Sequence, residues 1–425
     1  MQGYFGFIKD QWSLLAFGFL AVFWGNFGQT FFVGVFSDSI QTSLALSAGD
    51  YGLAYSVATL ASAATVVWAG GLIDRVRLTH YTAAICLGLA AAMVLLSQAY
   101  NLVMLTLSFF LLRLFGQALL PHTGSTTMAR TFIANRGKAL SISSSGFPVG
   151  EIILPVTAVA LIGLIGWRWT YALVALLVLV LVLPLMQIII RRTVLGNDNS
   201  TDIAGSGDSQ HGQAGVRAAL LGDFRYWLAL PGLMAGPFIA TGILIHQDFV
   251  IQSKAWTPTW FATCFAVYGL MHWLSSLVAG LLVDRFTARR LLPFYLLPMA
   301  LALTALTFFS GAWLALLFLS LLAMTIGSSP PISGSLWPEV YGIHNLGTVR
   351  SLNIAIMVFA TALSPALYGY CIDHHINLEW IVGLSAVYVV ASSVLMIFSY
   401  FRHPHQHPIA SHNIATQNNA DKEKI

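Results

Sequence analysis

The sequence predicts an all-α integral membrane protein with twelve transmembrane helices, and three observations support this prediction. Charged residues make up only 8% of the 425 residues, whereas apolar residues make up 57%. Long apolar runs recur along the chain, and its mean hydropathy is +0.77. Basic residues collect in alternate connections between these runs. A soluble fold could not cover its surface with so few charges, whereas lipid tails solvate an apolar exterior.

Each apolar run can cross a bilayer, which requires about 20 residues. The twelve predicted spans, numbered in chain order, lie near residues 12–36, 50–73, 80–97, 101–129, 138–164, 170–190, 226–251, 258–282, 291–310, 312–335, 347–371 and 378–401. If both termini are cytoplasmic, all of the 20 basic residues except Arg113, Arg168 and Lys254 fall on the cytoplasmic side. This bias follows the positive-inside rule. It predicts a multi-pass protein of the cell's inner (plasma) membrane with cytoplasmic N- and C-termini.

A polar stretch divides the spans into six and six. Residues 191–225 are rich in Asn, Asp, Ser and Gly, a composition that cannot bury enough apolar surface to offset the entropy of ordering. We therefore predict an N-terminal six-helix bundle at 1–190, a cytoplasmic linker at 191–225 and a C-terminal six-helix bundle at 226–402. The histidine-rich end, 403–425, is predicted to be a disordered cytoplasmic tail.

The two halves share a pattern at an offset of 210 positions. The matching pairs are Gly70 and Gly280, Asp74 and Asp284, Arg75 and Arg285, Gly137 and Gly347, and Pro155 and Pro365. Two parallel six-span repeats are an established transporter architecture, in which the substrate site lies between the halves. The repeat therefore predicts two pseudo-symmetric six-helix bundles.

The segments 70–75 and 280–285 resemble the loop 2–3 signature of the major facilitator superfamily. The stretch from Arg113 through Pro155, followed by Gly166-Trp167-Arg168-Trp169, is similar to the branch of that superfamily that includes monocarboxylate and oxalate porters. The resemblance covers most of the chain. It implies the major facilitator fold and secondary transport by alternating access.

The resemblance also implies that the two signature loops form contacts that hold the cytoplasmic side closed. The gate residues predicted on this basis are Asp74, Arg75, Arg130, Asp284, Arg285 and Glu339. Arg130, at the end of span 4, is a natural partner for Asp74, and Glu339 occupies the matching place after span 10. The alternative is that these charges only fix the topology.

Two charged residues lie near mid-depth in the predicted spans. A charge at the bilayer centre costs at least ~2.5–3.5 kcal/mol, so Arg113 in span 4 and Glu151 in span 5 each require a partner, a cavity or a function. A guanidinium suits a carboxylate substrate, and Gln117 lies one turn below Arg113 on the same face. Glu151 would then be the proton-coupling site. The alternative is a structural Arg113–Glu151 pair that locks the two spans together.

Other polar residues in the spans have two interpretations each. Asn26 and Gln29 in span 1 could hydrogen-bond the substrate or simply join helices. His272, at mid-depth in span 8, could contact the substrate or relay protons, or it could bridge two helices. His246 and Asp248, toward the outer end of span 7, could belong to an outer gate.

The sequence contains no Gly-x-x-x-x-Gly-Lys-Ser/Thr loop, no metal triad and no nucleophile elbow, so we expect no ATP drive, no metal site, no cofactor and no enzymatic activity. The expected function is transport of a small organic anion, coupled to protons. The alternatives are proton-driven efflux of drugs or metabolites and a non-transporting sensor on the same fold. The expected partners are a small-molecule substrate, membrane lipid and protons, with no nucleic acid, and the chain is expected to be a monomer.

Overall fold

The computed structural model describes residues 4–133, 135–193, 220–342 and 346–401, and the regular structure in these ranges is helical, without strands. The first half contains α1 Tyr4–Gly25, α2 Thr30–Val35, α3 Ser37–Leu44, α4 Ala48–Ala69, α5 Leu78–Ser97, α6 Leu102–Leu112, α7 Leu120–Thr131, α8 Arg136–Ser144, α9 Gly146–Leu177 and α10 Leu183–Arg192. The second half contains α11 Phe224–Ile245, α12 Gln247–Ser253, α13 Pro258–Phe286, α14 Ala288–Leu291, α15 Leu297–Phe308, α16 Trp313–Tyr341, α17 Leu346–Asp373 and α18 Leu378–Met396.

These helices account for the twelve predicted spans. Within the described ranges, 9 helices are long and apolar enough to cross a membrane, and one of them, Arg136–Arg192, is 57 residues long. Gly166 divides that helix into spans 5 and 6 with a φ of +78°, a conformation that glycine adopts without a Cβ clash. The 22-residue α1 and the shorter apolar α15 supply spans 1 and 9. The sequence prediction of an all-α membrane fold is thus confirmed.

Spans 1 and 4 are irregular at the level where they touch. Span 1 contains a 3₁₀ turn at Asn26–Gly28, and span 4 contains a π-helical turn at Arg113–Leu119. A Cβ on Gly28 would lie 2.5 Å from the carbonyl oxygen of Leu112 and from the amide nitrogen of Gln117. Only a glycine allows this approach. Isolated π turns occur often at functional sites, so this contact marks a place where side chains are aimed out of the regular helical pattern.

The helices form two contact units. The first comprises Met1–Ile203, Thr241–Leu270 and Ala362–Asn377, and the second comprises Ala204–Ala240, Met271–Thr361 and Leu378–Ile425. The first unit therefore joins the first half of the chain to one end each of spans 7, 8 and 11. This is the predicted outer end, where the connections near residues 45–47 and 374–377 lie.

The second unit is held together by polar contacts inside an apolar core. The Tyr295 hydroxyl donates to the carbonyl oxygen of Gly232 at 2.8 Å, and the Met299 amide donates to the Thr325 hydroxyl at 3.0 Å. The predicted bundle limits, 1–190 and 226–402, stay a prediction. Most of the predicted linker 191–225 and all of the predicted tail 403–425 lie outside the described residues.

Candidate functional site

Arg113 is the first residue of the π-helical turn in span 4 and is only 7% exposed. Its guanidinium hydrogen-bonds the hydroxyl of Tyr55 on span 2 and lies over the same ring, with Cζ 4.6 Å from the ring centroid. The Tyr55 hydroxyl also lies 3.0 Å from the hydroxyl of Thr30 on span 1. Spans 1, 2 and 4 therefore meet around one buried cation.

The guanidinium of Arg113 retains unused donor capacity. Its Nε is buried and has no hydrogen-bond partner in the part of the chain that the structure describes. Within that part, its hydrogen bond goes to Tyr55 and not to Glu151, so the structure does not contain the Arg113–Glu151 pair that depth alone suggested. A phenol shares hydrogen bonds with a cation but does not neutralise it. The site therefore has a net positive charge that an anionic ligand could compensate.

Glu151 on span 5 faces span 8. It is 6% exposed and interacts electrostatically with the Tyr268 phenol. The two spans are in close contact there, because a Cβ on Gly269 would lie 2.7 Å from the carbonyl oxygen of Pro148. The carboxylate thus lies where a helix from the first half of the chain contacts a helix from the second half, inside the first unit.

Asn26 joins spans 1 and 5. Its Nδ2 donates to the carbonyl oxygens of Gly146 at 2.9 Å and Phe23 at 3.0 Å. Its Oδ1 is buried without a partner among the described residues, so the acceptor half of the amide is unused. The half-buried side chains of Gln29 and Gln117 have no hydrogen-bond partner within the described ranges. Gln117 lies in the same π-helical turn as Arg113. Gln29 directly follows the 3₁₀ turn of span 1, which contacts span 4.

His272 belongs to the second unit and is half-buried. Its carbonyl oxygen accepts a hydrogen bond from the Ser275 hydroxyl at 3.1 Å. A Cβ on Gly327 in span 10 would overlap that carbonyl oxygen, so spans 8 and 10 cross at this level. The structure therefore places His272 at a helix crossing, where its backbone is in close contact with span 10.

The predicted cytoplasmic gate residues form two separate contacts. Arg130 forms an ion pair with Asp74, and the two side chains are 46% and 58% exposed. In the second half, Glu339 accepts from the amides of Ala288 at 2.8 Å and Arg289 at 3.3 Å, and its carboxylate lies 3.8 Å from Arg289 Nε. Glu339 thus binds the N-terminus of α14, next to the signature segment.

The other predicted gate residues, Arg75, Asp284 and Arg285, form fewer contacts. Within the described ranges, Arg75 and Asp284 form no ion pair, and the Arg285 guanidinium lies 5.2 Å from the ring centroid of Phe286. The repeated sequence signature therefore leads to unequal contacts in the two halves. In the first half the signature aspartate, Asp74, forms the ion pair. In the second half the ion pair is formed by Glu339, which follows span 10.

Polar contacts also tie together the predicted outer ends within the first unit. Asp248 of span 7 accepts from the Ser37 hydroxyl at 2.9 Å and from Gln41 Nε2 at 3.3 Å. His246 Nε2 lies 2.9 Å from the carbonyl oxygen of Pro365, which links spans 7 and 11. Asp373 after span 11 accepts from the Ser47 hydroxyl at 2.8 Å. We call these contacts the outer cluster.

Glycines bring the backbones of the outer cluster together. A Cβ on Gly34 would overlap the carbonyl oxygen of Leu244, and one on Gly52 would overlap that of Pro365. The sequence pointed to His246 and Asp248, but it offered no signal for Tyr55, Ser37 or Asp373. Their importance depends on which helix faces meet, which residue spacing within one helix does not reveal.

The fold has counterparts among known proteins. A "MFS-type transporter" of Gibberella moniliformis is 26% identical over 277 residues, which cover 61% of this chain and 60% of the relative. The match thus spans less than two thirds of that relative. The bacterial homolog of the human lysosomal transporter Spinster, solved in an inward-facing and occupied conformation, has a TM-score of 0.70 at 14% identity and covers 94% of this chain and 99% of its own.

A second solved structure, the nucleoside transporter NupG, has a TM-score of 0.70 at 12% identity and covers 92% of this chain and 99% of its own. At these identities the two structures establish the shared fold. The family profile described as "Major Facilitator Superfamily" matches residues 15–250 and 233–420, which together include most of the sequence. The all-helical architecture, the paired signature segments and this match agree: the chain belongs to the Major Facilitator Superfamily.

Proposed function

We propose that the protein carries a small organic anion across the membrane and that Arg113 is the residue that binds its anionic group. One observation carries the proposal: Arg113 is a cation with 7% exposure whose described contacts are with a tyrosine and include no carboxylate. Keeping a charge at mid-depth costs at least ~2.5–3.5 kcal/mol. An anion bound in the site would compensate that cost.

The neighbouring groups suit a carboxylate. A guanidinium can form two parallel hydrogen bonds with a carboxylate, and the free Arg113 Nε is one of the donors available for them. The amides of Gln29 and Gln117 are half-buried and supply further donors near the contact of spans 1 and 4. Tyr55 holds the guanidinium from the side of span 2, so the cation is oriented before the substrate binds.

Glu151 is the proposed proton site. Its carboxylate is 6% exposed and lies against span 8, so its protonation alters a contact between helices of the two halves. A proton carried on Glu151 with each anion would make the translocated pair neutral. That lowers the electrostatic cost of moving the anion through a low-dielectric region.

The outer cluster and the predicted cytoplasmic gate are the proposed barriers of an alternating-access cycle. The outer cluster joins spans 1 and 2 to spans 7 and 11 through Asp248, His246 and Asp373. Those contacts must break before the anion can reach Arg113 from the outside. At the other end the candidates are the two signature loops, and the pairs Asp74–Arg130 and Glu339–Arg289, each within one half, hold these loops in place.

The test is binding to the purified full chain, measured by calorimetry and by thermal shift over a panel of mono- and dicarboxylates, with neutral amides of the same shape as controls. Arg113→Lys keeps the charge but loses the paired hydrogen bonds, so we expect it to weaken carboxylate binding about 10- to 100-fold. Arg77→Gln, an exposed arginine at the predicted cytoplasmic end, is the matched control and should bind like the wild type. Wild-type affinity in Arg113→Gln would contradict the proposal.

A further inference from the structure

A cavity of about 290 Å³ lies at the predicted outer end of the first unit. Its walls come from spans 1, 5, 7 and 8, so it lies beside the outer cluster and uses side chains from both halves of the chain. Its volume would hold a small organic molecule. None of the residues that the proposed transport cycle places around Arg113 lines it.

The lining of the cavity combines polar and apolar side chains. Ser37, Asp38, Gln247, Asp248 and Gln252 supply polar groups, whereas the remaining lining is mostly apolar and includes Trp256, Phe261 and Phe265. No lysine, arginine or histidine is among the described residues that line it. The lining is therefore acidic and aromatic, without a basic side chain among the described residues.

Gln247 is the residue that points to a ligand. It is 2% exposed and lines the cavity, yet neither Nε2 nor Oε1 has a hydrogen-bond partner within the described ranges. A buried primary amide without any partner is costly. The amide lies beside Gly34, because a Cβ added there would be 3.0 Å from Gln247 Nε2. An occupant of the cavity could satisfy this amide.

Two carboxylates define the charge of that occupant. Asp248 is held by Ser37 and Gln41, and Asp38 accepts from Gln252 Nε2 at 3.2 Å. The two aspartates interact electrostatically with each other, and the hydrogen bonds above come from neutral groups. Asp248 also interacts electrostatically with His246, which does not line the cavity. A cation placed between them would relieve their repulsion, and an aromatic wall stabilises an organic cation better than a hydrated metal ion.

We propose that this cavity is a binding site for a small organic ammonium ion with an apolar portion, separate from the anion site at Arg113. The ammonium group donates to Asp248 and Asp38, the Gln247 carbonyl accepts a further hydrogen bond from it, and the apolar portion packs on Phe261 and Phe265. Because the cavity spans helices of both halves next to the outer cluster, a bound ammonium ion holds these ends together. The ligand is thus an inhibitor of opening rather than the transported substrate.

The probe is n-butylammonium, with n-butanol as the neutral control of similar shape, titrated into the purified full chain in detergent. We expect saturable binding of the ammonium with an affinity at least about tenfold above that of the alcohol. Gln247→Leu should weaken binding by about fivefold or more while the unliganded melting temperature stays equal or rises, because the substitution removes a buried unpaired amide. The matched control is Gln98→Leu, which alters an exposed amide at the same end.

Further variants separate the possible outcomes. Asp248→Asn should weaken ammonium binding about tenfold, and the exposed Asp38→Asn provides the same test if the buried variant does not fold. Arg113→Lys should bind the ammonium like the wild type, so a failure of the anion proposal leaves this one intact. The source of the amine is tested in nanodiscs: weaker butylammonium binding in phosphatidylethanolamine than in phosphatidylcholine assigns the site to a lipid headgroup, and equal binding assigns it to a free amine. Absence of saturable ammonium binding, or equal binding in Gln247→Leu and both aspartate variants, would overturn the proposal.

Discussion

The guanidinium of Arg113 lies over the ring of Tyr55, 4.6 Å from its centroid, and hydrogen-bonds its hydroxyl. The buried cation of span 4 thus contacts span 2, and the hydrogen bond between the hydroxyls of Tyr55 and Thr30 extends the contact to span 1. The arrangement holds the arginine in place without cancelling its charge.

Replacing Tyr55 with phenylalanine removes the hydroxyl and keeps the ring. Because a hydrogen bond to a charged group contributes about 1.5–3 kcal/mol, we expect Tyr55→Phe to lower the free energy of unfolding of the unliganded protein by about that amount. Thermal unfolding measures the change, and Tyr100→Phe, which alters an exposed phenol, is the control. A stability equal to that of the wild type would mean that the hydroxyl contributes nothing to holding Arg113.

Gly34 controls how closely spans 1 and 7 approach. Since a Cβ there would overlap the carbonyl oxygen of Leu244, Gly34→Ala must push the two backbones apart and weaken the outer cluster. Spin labels can be attached at Thr42 and Ser253, which are both exposed in the first unit. Pulsed electron paramagnetic resonance should show a longer distance between the two labels in the variant than in the wild type.

The matched substitution is Gly163→Ala in span 5, where a Cβ would meet nothing within 4 Å. We expect this control to leave the distance distribution unchanged. An unchanged distribution in Gly34→Ala as well would show that the close approach is not needed to keep the outer ends together.

The signature aspartates should matter for conformation more than for stability. The Asp74–Arg130 pair is exposed, and such pairs contribute less than about 1 kcal/mol, so Asp74→Asn and Asp284→Asn should fold normally. If the two loops close the cytoplasmic side, both variants should label faster at a cysteine introduced at Ser144, near that end. Unchanged labelling in both would leave the aspartates as determinants of topology only.

Glu151→Gln tests proton coupling without removing the side chain. The amide keeps the shape of the carboxylate but carries no titratable proton, so the variant should still exchange labelled anion across a proteoliposome membrane. It should fail to concentrate the anion when a proton gradient is imposed. Asp50→Asn, at the predicted outer end of span 2, is the control and should still accumulate the anion. Accumulation by Glu151→Gln at the wild-type level would place the coupling group elsewhere.

The membrane fold can be predicted from the order of apolar and charged residues along the sequence. Hydropathy and length located the spans, because a lipid-facing helix must be apolar over about 20 residues wherever it lies in the fold. The cost of a charge in hydrocarbon singled out Arg113 and Glu151 for the same reason. The repeated Gly, Asp and Arg positions identified the family, and the profile match confirmed it.

The partners of those residues were decided only by tertiary structure. Mid-depth positions suggested that Arg113 pairs with Glu151, yet the cation lies on Tyr55, 58 residues earlier, and Glu151 faces span 8. Depth in the membrane does not determine how a helix is rotated about its axis, and the π turn at Arg113–Leu119 changes that rotation further. Rotation is determined by close packing, through contacts such as Gly28 against span 4 and Gly34 against span 7. The sequence by itself therefore determined which residues are costly to bury, and the packing of the helices decided what each of them touches.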